Sequence, residues 1–329
     1  MIDNLKGSRV LITGGAGFIG SHIADLMIRR QVGELIVLDN LTRGCRENLK
    51  WALNCGDVRL IEGDIRDPEM MAESTRGIDY VFHMVGVEPE YCDEFPRGGR
   101  DIMINGTFNL LDACVHNGVK KIVAASSKAV YGKTDRYPLR EDHAAGDSLS
   151  FFGAFNLAME HLLDAFNVSF GLEYTVLRLF DVYGPRMASG EKQNNVISNW
   201  MEAINRWINP VVPGNEDCSW DFIFVGDAAE AAVKAMEIPG INMPVNIASG
   251  IETGVTGLKN AFSEITVSGM NPEFAKPGYD PQTTRSWVDI SRAEKHLKFK
   301  PSTLLRDGLR ETLDWRMGTR RNRHSLILK

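Results

Sequence analysis

Thr13-Gly14-Gly15-Ala16-Gly17-Phe18-Ile19-Gly20 carries glycines at the spacing Gly-x-x-Gly-x-x-Gly, between a β-branched run and a helical one. Such a run can hold a dinucleotide pyrophosphate. Gly14 permits a tight turn, Gly17 lets the backbone approach the phosphates, and Gly20 lets helix and strand pack closely. The helix that opens here turns free N–H groups and a partial positive charge toward the anion. Asp39 ends the next strand, 19 residues after Gly20. Its carboxylate can accept hydrogen bonds from an adenosine ribose and would repel a 2′-phosphate, which favours NAD over NADP; Arg43 nearby works the other way. A glycine turn that only packs a helix on a sheet is the alternative. The order strand, helix, strand, acid is what makes the motif specific.

The elements that must position this motif follow from the alternation of apolar runs and helical stretches. The pattern predicts strands at Arg9–Thr13, Leu35–Asp39, Val58–Ile61, Tyr80–His83, Lys121–Ala125 and Tyr174–Phe180, with helices over Gly17–Arg30, Glu69–Arg76, Arg100–Asn117 and Phe152–Phe170. Continuous apolar runs such as Leu35-Ile36-Val37-Leu38 suit strands covered on both faces, so the expected fold class is α/β, a doubly wound parallel sheet of Rossmann type. After Pro185 the alternation loosens, although Asp221–Val225 and Val245–Ala248 again read as strands. The expected division is a dinucleotide-binding domain, 1–185 plus about 221–250, and a smaller substrate lobe, about 186–220 plus 251–329, with the cleft at the carboxyl ends of the strands.

Composition narrows the function classes. Of 329 residues, 43% are hydrophobic and 24% charged, as in an ordinary soluble globular protein. The net charge of −6 argues against a nucleic-acid partner. The one basic cluster, Arg316 to Arg323, reads as a solvated tail. Cys45, Cys55, Cys92, Cys114 and Cys218 are odd in number with no metal-ligand spacing, so reduced thiols in the cytoplasm are expected. The seven histidines include no His-x-x-x-His pair, and no metal site is expected. Met1 to Asn4 are polar and read as leading straight into a strand without a signal peptide. No apolar run approaches the roughly 20 residues of a membrane helix.

Further motifs resemble the extended short-chain dehydrogenase/reductase superfamily, in its NAD-dependent nucleotide-sugar epimerase/dehydratase branch (UDP-glucose 4-epimerase-like), over nearly the whole chain. They are Gly63-Asp64-Ile65-Arg66-Asp67, Asn105-Gly106-Thr107-Phe108-Asn109-Leu110-Leu111, Ala125-Ser126-Ser127-Lys128-Ala129-Val130-Tyr131-Gly132, Leu177-Arg178-Leu179-Phe180-Asp181-Val182-Tyr183-Gly184-Pro185-Arg186, Asp221-Phe222-Ile223-Phe224-Val225-Gly226-Asp227, Asn246-Ile247-Ala248-Ser249-Gly250 and Asp289-Ile290-Ser291-Arg292-Ala293. The resemblance implies NAD contacts from Gly14, Ala16, Gly17, Phe18, Ile19, Gly20, Asp39, Asn40, Arg43, Asp64, Ile65, Met84, Val85, Gly86, Asn105, Ala125 and Asn156. It also implies a homodimer through a four-helix bundle of the 100–117 and 152–170 helices, where Phe108, Leu111 and Val115 form one apolar stripe.

The sequence departs from the resemblance at the reaction centre. The family uses a Tyr-x-x-x-Lys pair, and the matching segment here places Phe152 at the tyrosine and Asn156 at the lysine. No tyrosine or lysine lies anywhere between Tyr137 and Tyr174. Phe152 has no proton to give, and Asn156 can hydrogen-bond a ribose but carries no charge. Ser127 matches the family's active-site hydroxyl. Lys128 beside it either orients an anion, carries the proton, or points to solvent. Glu88, after the His83-Met84-Val85-Gly86-Val87 loop, either pairs with Lys128, serves as a base, or is an exposed loop carboxylate. The family's diphosphate-binding Asn is Asp181 here and its Arg is Trp220, which either stacks on a ring or fills the second lobe's core. Arg186 and Arg285 remain as anion ligands. The expected function is an NAD-dependent enzyme that oxidises a sugar or nucleotide-sugar carbinol transiently, with a non-standard acid–base apparatus. A catalytically silent NAD-binding sensor and an NADP-dependent reductase of the same fold are the alternatives.

Overall fold

Side chains alternate across a strand, so each sheet strand feeds two cores. In the computed structural model, which describes residues 5–143, 149–188, 195–212, 215–266, 271–274 and 285–327, this alternation fills both cores from the first, second and fourth strands, whereas the third is half-buried with Arg59 exposed. Val10, Ile12, Leu35, Val37 and Phe82 face one core; Leu11, Ile36, Leu38 and Val81 face the other. The strands are β1 (Arg9–Thr13), β2 (Glu34–Asp39), β3 (Val58–Glu62), β4 (Tyr80–His83), β5 (Lys121–Ser127), β6 (Glu173–Leu179) and β7 (Pro244–Ile247). They form one parallel sheet in the order β7-β6-β5-β4-β1-β2-β3. This is the doubly wound arrangement expected. Met1 to Asn4 lie outside the described residues.

Helices α1 (Phe18–Arg29) and α6 (Val225–Glu237) cover the first face. The second is covered by α2 (Pro68–Ser74), α3 (Thr107–His116) and α4 (Phe151–Phe170). Ala228, Ala232 and Ala235 keep α6 thin where α1 packs on it. A separate aromatic core lies beyond the strand ends. It joins α5 (Val196–Arg206), α7 (Val255–Ser263) and the start of α8 (Leu305–Ile327) through Trp200, Trp220, Phe222, Phe262 and Leu309.

Several expectations are corrected. Asp221–Val225 is a strand only at Ile223–Phe224, and Val225 already opens α6, because the alanine-rich stretch after it favours helix. The 100–117 helix is present but not uniformly α. A wider π-type segment, Asp101–Gly106, precedes α3, and a Cβ on Gly106 would lie 2.6 Å from the Ile65 side chain. The basic cluster is not a free tail: its backbone is helical, and Arg316 is buried with Nη2 donating to Ser198 Oγ at 2.9 Å. The apolar stripe on α3 splits, since Leu111 is buried against the sheet while Phe108 is exposed. No helix among the described residues is long and apolar enough to cross a membrane.

The sheet reverses direction at β1. The chain runs from β1 to β2 and β3 on one side, then crosses to β4 on the other. The cleft opens at such a switch point, outside the carboxyl ends of the strands. Here Met84 N donates to Thr13 O at 2.9 Å, and His83 is fully enclosed between two threonines. Thr107 Oγ1 donates to Met103 O (2.7 Å), so it accepts from His83 Nε2 (3.0 Å), and Thr13 Oγ1 donates to Nδ1 (2.7 Å). Burial pulls the imidazole pKa down to about 4. The folded chain therefore resists a proton that the unfolded chain accepts near pH 6.5. This stabilisation is present in full above about pH 6.5 and is lost as pH falls toward 4, by up to ~3 kcal/mol. In urea unfolding across that range, the stability advantage of the native protein over His83→Gln is expected to shrink as pH falls. A constant gap would show that His83 titrates as an ordinary histidine.

Candidate active site

The glycine loop is shaped by contacts that no side chain could enter. Gly14 sits at φ 71°, and a Cβ there would lie 2.7 Å from Met84 O. A Cβ on Gly20 would lie 2.4 Å from Gly14 O. Gly17 is different: its Cβ would meet only Gly14 O, at 3.1 Å, with its other sides open to the cleft. No side chain caps α1, and no acidic residue lies in its first turn. An uncapped helix end with a Cβ-free approach fits a pyrophosphate. Gly15, absent from the expected set, is also constrained, because a Cβ would lie 2.8 Å from Val37 Cγ1.

Asp39 closes the loop from the β2 side. Its Oδ2 accepts from Ala16 N at 3.0 Å and its Oδ1 from Leu41 N at 2.9 Å. Burial pushes its pKa up, opposed by the surrounding amides and the nearby Arg43 guanidinium. Arg43 reaches across to the loop after β4, where it pairs with Glu88 at 2.6 Å. Glu88 therefore does not pair with Lys128; its carboxylate is held by the cation on the opposite lip of the dinucleotide cleft. Between them, Met84 and Val85 are half-buried, and Gly86 is exposed with nothing within 4 Å of a built Cβ.

The loop after β3, which the resemblance assigns to the adenine, is equally fixed. Arg66 bonds the Asp64 carboxylate at 2.9 and 2.7 Å and holds its pKa down to about 2; Asn40 Nδ2 adds a bond at 3.2 Å. Asn109, another residue the sequence reading passed over, donates to Ile65 O and Arg66 O at 3.3 and 3.1 Å. Asn105 lies exposed on the π-type segment, bonded to Asp101. Phe18 and Ile19 are half-buried on the first turn of α1, and Ala125 lies on β5, paired with Leu177 of β6.

The opposite end of the cleft is built on β5, which runs two residues beyond its expected end and so carries Ser126 and Ser127 in extended backbone. The two hydroxyls point to opposite faces. Ser126 Oγ turns inward and donates to Glu160 at 2.6 Å, joining a buried chain through Arg178, Tyr131 and Asn246. Ser127 Oγ accepts from Ala129 N at 3.2 Å, which leaves its own proton for another acceptor. The start of α4 presses on the turn that follows: a Cβ on Gly153 would lie 2.4 Å from Ala129 O. This packs the first turn of α4, which carries Phe152, against the turn that follows Ser127. Asn156 is buried, and its Nδ2 donates to Phe152 O within the same helix, at 2.9 Å, rather than outward. An asparagine in a helix interior finds the i−4 carbonyl when no other acceptor is near.

Lys128 does not point to solvent. Its Nζ donates to both oxygens of Asp181, at 2.7 and 2.8 Å, and to Ser286 Oγ at 3.1 Å. Asp181, whose backbone lies at φ 26°, is paired with this ammonium and is therefore not a bare charge. Behind it, the fully buried Asp221 accepts from Ser249 N, Ser249 Oγ and Gly250 N, and burial pushes its pKa up to about 7. Asp221 opens one of the motifs of the resemblance but was not among the expected site residues, and no local pattern marks Ser286, a lone serine.

The remaining expected ligands are engaged elsewhere. Arg186 bonds Asp25 of α1 at 2.6 Å. Arg285 grips Glu252 through two bonds, at 2.7 and 2.9 Å, and lies over the Tyr137 and Trp287 rings. Trp220 is buried and stacked on Phe222 at 5.8 Å, filling the second lobe's core.

A profile of the NAD dependent epimerase/dehydratase family matches residues 10–248. Among solved structures, the chain is similar to the UDP-N-acetylglucosamine 4-epimerase of Methanobrevibacter ruminantium M1, determined with UDP-N-acetylmuramic acid (31% identity, TM-score 0.89, 95% of this chain and 99% of that one). It is also similar to the UDP-glucose 4-epimerase of Thermotoga maritima with UDP-glucose (32% identity, TM-score 0.86, 94% and 99%). A curated relative, the UDP-N-acetyl-alpha-D-glucosaminuronate decarboxylase of Bacillus cytotoxicus, is 30% identical over 322 residues, covering 93% of this chain and 97% of its own. The glycine cradle, the Asp39 anchor and these likenesses converge: the chain belongs to the NAD-dependent epimerase/dehydratase family, and is an enzyme whose cofactor is NAD.

Proposed function

We propose that this enzyme acts on a nucleotide sugar by transient oxidation and re-reduction of a ring carbinol, with its acid–base work moved off residue 152. The observation that carries this reading is Ser127, held at the end of β5 with its proton free, beside a lysine that is fixed by Asp181 rather than by α4. Bound NAD supplies the hydride acceptor and donor. The first turn of α1 and Gly17 receive the pyrophosphate, Asp39 receives the adenosine ribose, and the loop Met84–Gly86 lines the floor. Ser127 donates to the substrate oxygen, the Asp181 carboxylate held by Lys128 takes that hydroxyl's proton and returns it when the carbinol re-forms, and Lys128 is the cation that fixes this carboxylate. Phe152 packs against the sugar as an apolar wall. Within segments 186–220 and 251–329, α5, α7 and the start of α8 form the lobe that covers the substrate, while Ala293, Leu297 and Phe299 pack in the core of the sheet. The sugars bound or named in the similar proteins described above are all UDP-linked, which favours that class here.

The test is turnover of UDP-sugars by the NAD-loaded enzyme, read by NMR of the sugar and by nicotinamide absorbance. Ser127→Ala is expected to lower the rate by about 10²-fold or more, the usual weight of such a group. A loss of less than tenfold in both Ser127→Ala and Lys128→Ala would overturn the assignment.

Glu88 we assign to cofactor choice, because it occupies the guanidinium that a 2′-phosphate would otherwise use. In calorimetric titration Glu88→Gln should gain about threefold in NADP affinity, in keeping with a half-exposed ion pair, while NAD binding stays unchanged. An unchanged NADP affinity would sink this role.

We further propose a cytoplasmic homodimer. The five free thiols suit a reducing compartment. Phe108 meets Phe166 edge-to-face and Phe166 meets Phe170 in a tilted pair, a chain across α3 and α4 with Phe108 and Phe170 exposed. Exposed aromatic rows of this kind mark association faces. Light scattering should give a dimer, and Phe108→Glu with Phe170→Glu should give a monomer; a native monomer at micromolar concentration would refute the pairing.

A further inference from the structure

We propose that the Lys128–Asp181–Ser286 cluster selects the charge of the sugar ring, admitting a neutral, hydroxyl-bearing ring and excluding one that carries a carboxylate. The inference rests on the nucleotide-sugar reading above. It follows from a count of donors. An ammonium has three protons. On Lys128 all three are committed, two to Asp181 and one to Ser286. Ser286 is itself buried and fixed by its own amide, which donates to Ser219 O at 3.0 Å. The cation beside Ser127 therefore offers no free donor to an incoming anion.

Asp181 has the opposite property. A carboxylate has about four lone-pair sites, and Lys128 uses two. The others can accept from a sugar hydroxyl. A sugar carboxylate placed there would meet acceptors, not donors, and would add a negative charge next to Asp181. Like-charge juxtaposition of this kind is a means of rejecting a ligand rather than of binding one.

The same geometry says how to reverse the preference. Asp181→Asn keeps the shape and one carbonyl acceptor, but removes the charge that occupies Lys128. Asparagine tolerates positive φ, so the backbone at this position is not the obstacle. Lys128 then carries an uncompensated charge and a spare proton toward the cleft.

The experiment is calorimetric binding of UDP-glucose and UDP-glucuronate to the NAD-loaded protein, native and Asp181→Asn. The UDP contacts are common to both ligands and cancel in the ratio of affinities. The native protein is expected to bind UDP-glucose at least about tenfold more tightly than UDP-glucuronate, and Asp181→Asn to shift the ratio toward the glucuronate by about tenfold or more. Lys128→Met, which leaves Asp181 unpaired, should weaken UDP-glucuronate further without helping UDP-glucose. A native preference for UDP-glucuronate, or a ratio unmoved by Asp181→Asn, overturns the charge selection and leaves the nucleotide-sugar reading standing. Binding of neither ligand to either protein overturns the nucleotide-sugar reading, and the inference falls with it.

Discussion

Everything in this molecule depends on how closely two backbones approach at the point where the sheet changes direction. Gly14 and Met84 meet with no room for a Cβ, and Gly20 brings α1 against the same turn. Were either glycine replaced by a larger residue, β1 and β4 would have to separate, and the first turn of α1 would no longer face the cleft. The close approach also explains the burial of His83. The imidazole fills the space directly beneath the crossing and joins β1, β4 and α3 through two threonine hydroxyls. It must stay neutral to do so, since a charged ring would need solvent that this position excludes. The cofactor site is thus a consequence of packing, with the anion-facing helix end left uncapped because the turn that precedes it is occupied by backbone alone.

Legibility in the sequence followed the range of the interactions. Period-two alternation and glycine spacing are local, and the six strands of the first half were readable to within two residues because each feeds two apolar cores. Asp39 was readable because it ends a strand. What the sequence hid were contacts between distant segments. Lys128 and Ser286 are 158 residues apart, and Arg316 and Ser198 are 118 apart. A lysine at a strand end looks solvated until the acid that holds it is located, and an arginine-rich terminus looks like a tail until one member is buried. The error at Leu111 has the same origin: helical spacing says that Phe108, Leu111 and Val115 share a stripe, but only the neighbouring sheet decides which of them it covers.

The charge changes at the reaction centre make sense only when taken together. On the register that places Phe152 and Asn156 at the family's tyrosine and lysine, α4 has lost a cation and a proton donor. Lys128 restores a cation, but from β5 rather than α4. A lysine held only by solvent would lose rotamer entropy on ordering and pay for desolvation. Asp181 offsets both, and two bonds to one carboxylate fix the ammonium more tightly than one would. The acid that appears repulsive in isolation is the group that makes the lysine stay.

The same pairing bears on how a diphosphate could be held. With Trp220 in the aromatic core, Asp181 neutralised, Arg186 on Asp25 and Arg285 on Glu252, each of these side chains already has a partner or a packing role. An anionic ligand entering the second lobe must therefore compete with carboxylates already in place. Arg285 is the group best able to yield. Its side chain is 43% exposed, so its ion pair is weak, whereas Arg186 is 17% exposed and sits against a half-buried helix. Exchange of Glu252 for phosphate at Arg285 would cost little, because the guanidinium keeps its stacking on Tyr137 and Trp287 while its two donors change acceptor. On the proposed nucleotide-sugar reading, the Arg285 end would be the adaptable part of the site and the Lys128–Asp181 end the rigid part that sets which sugar fits.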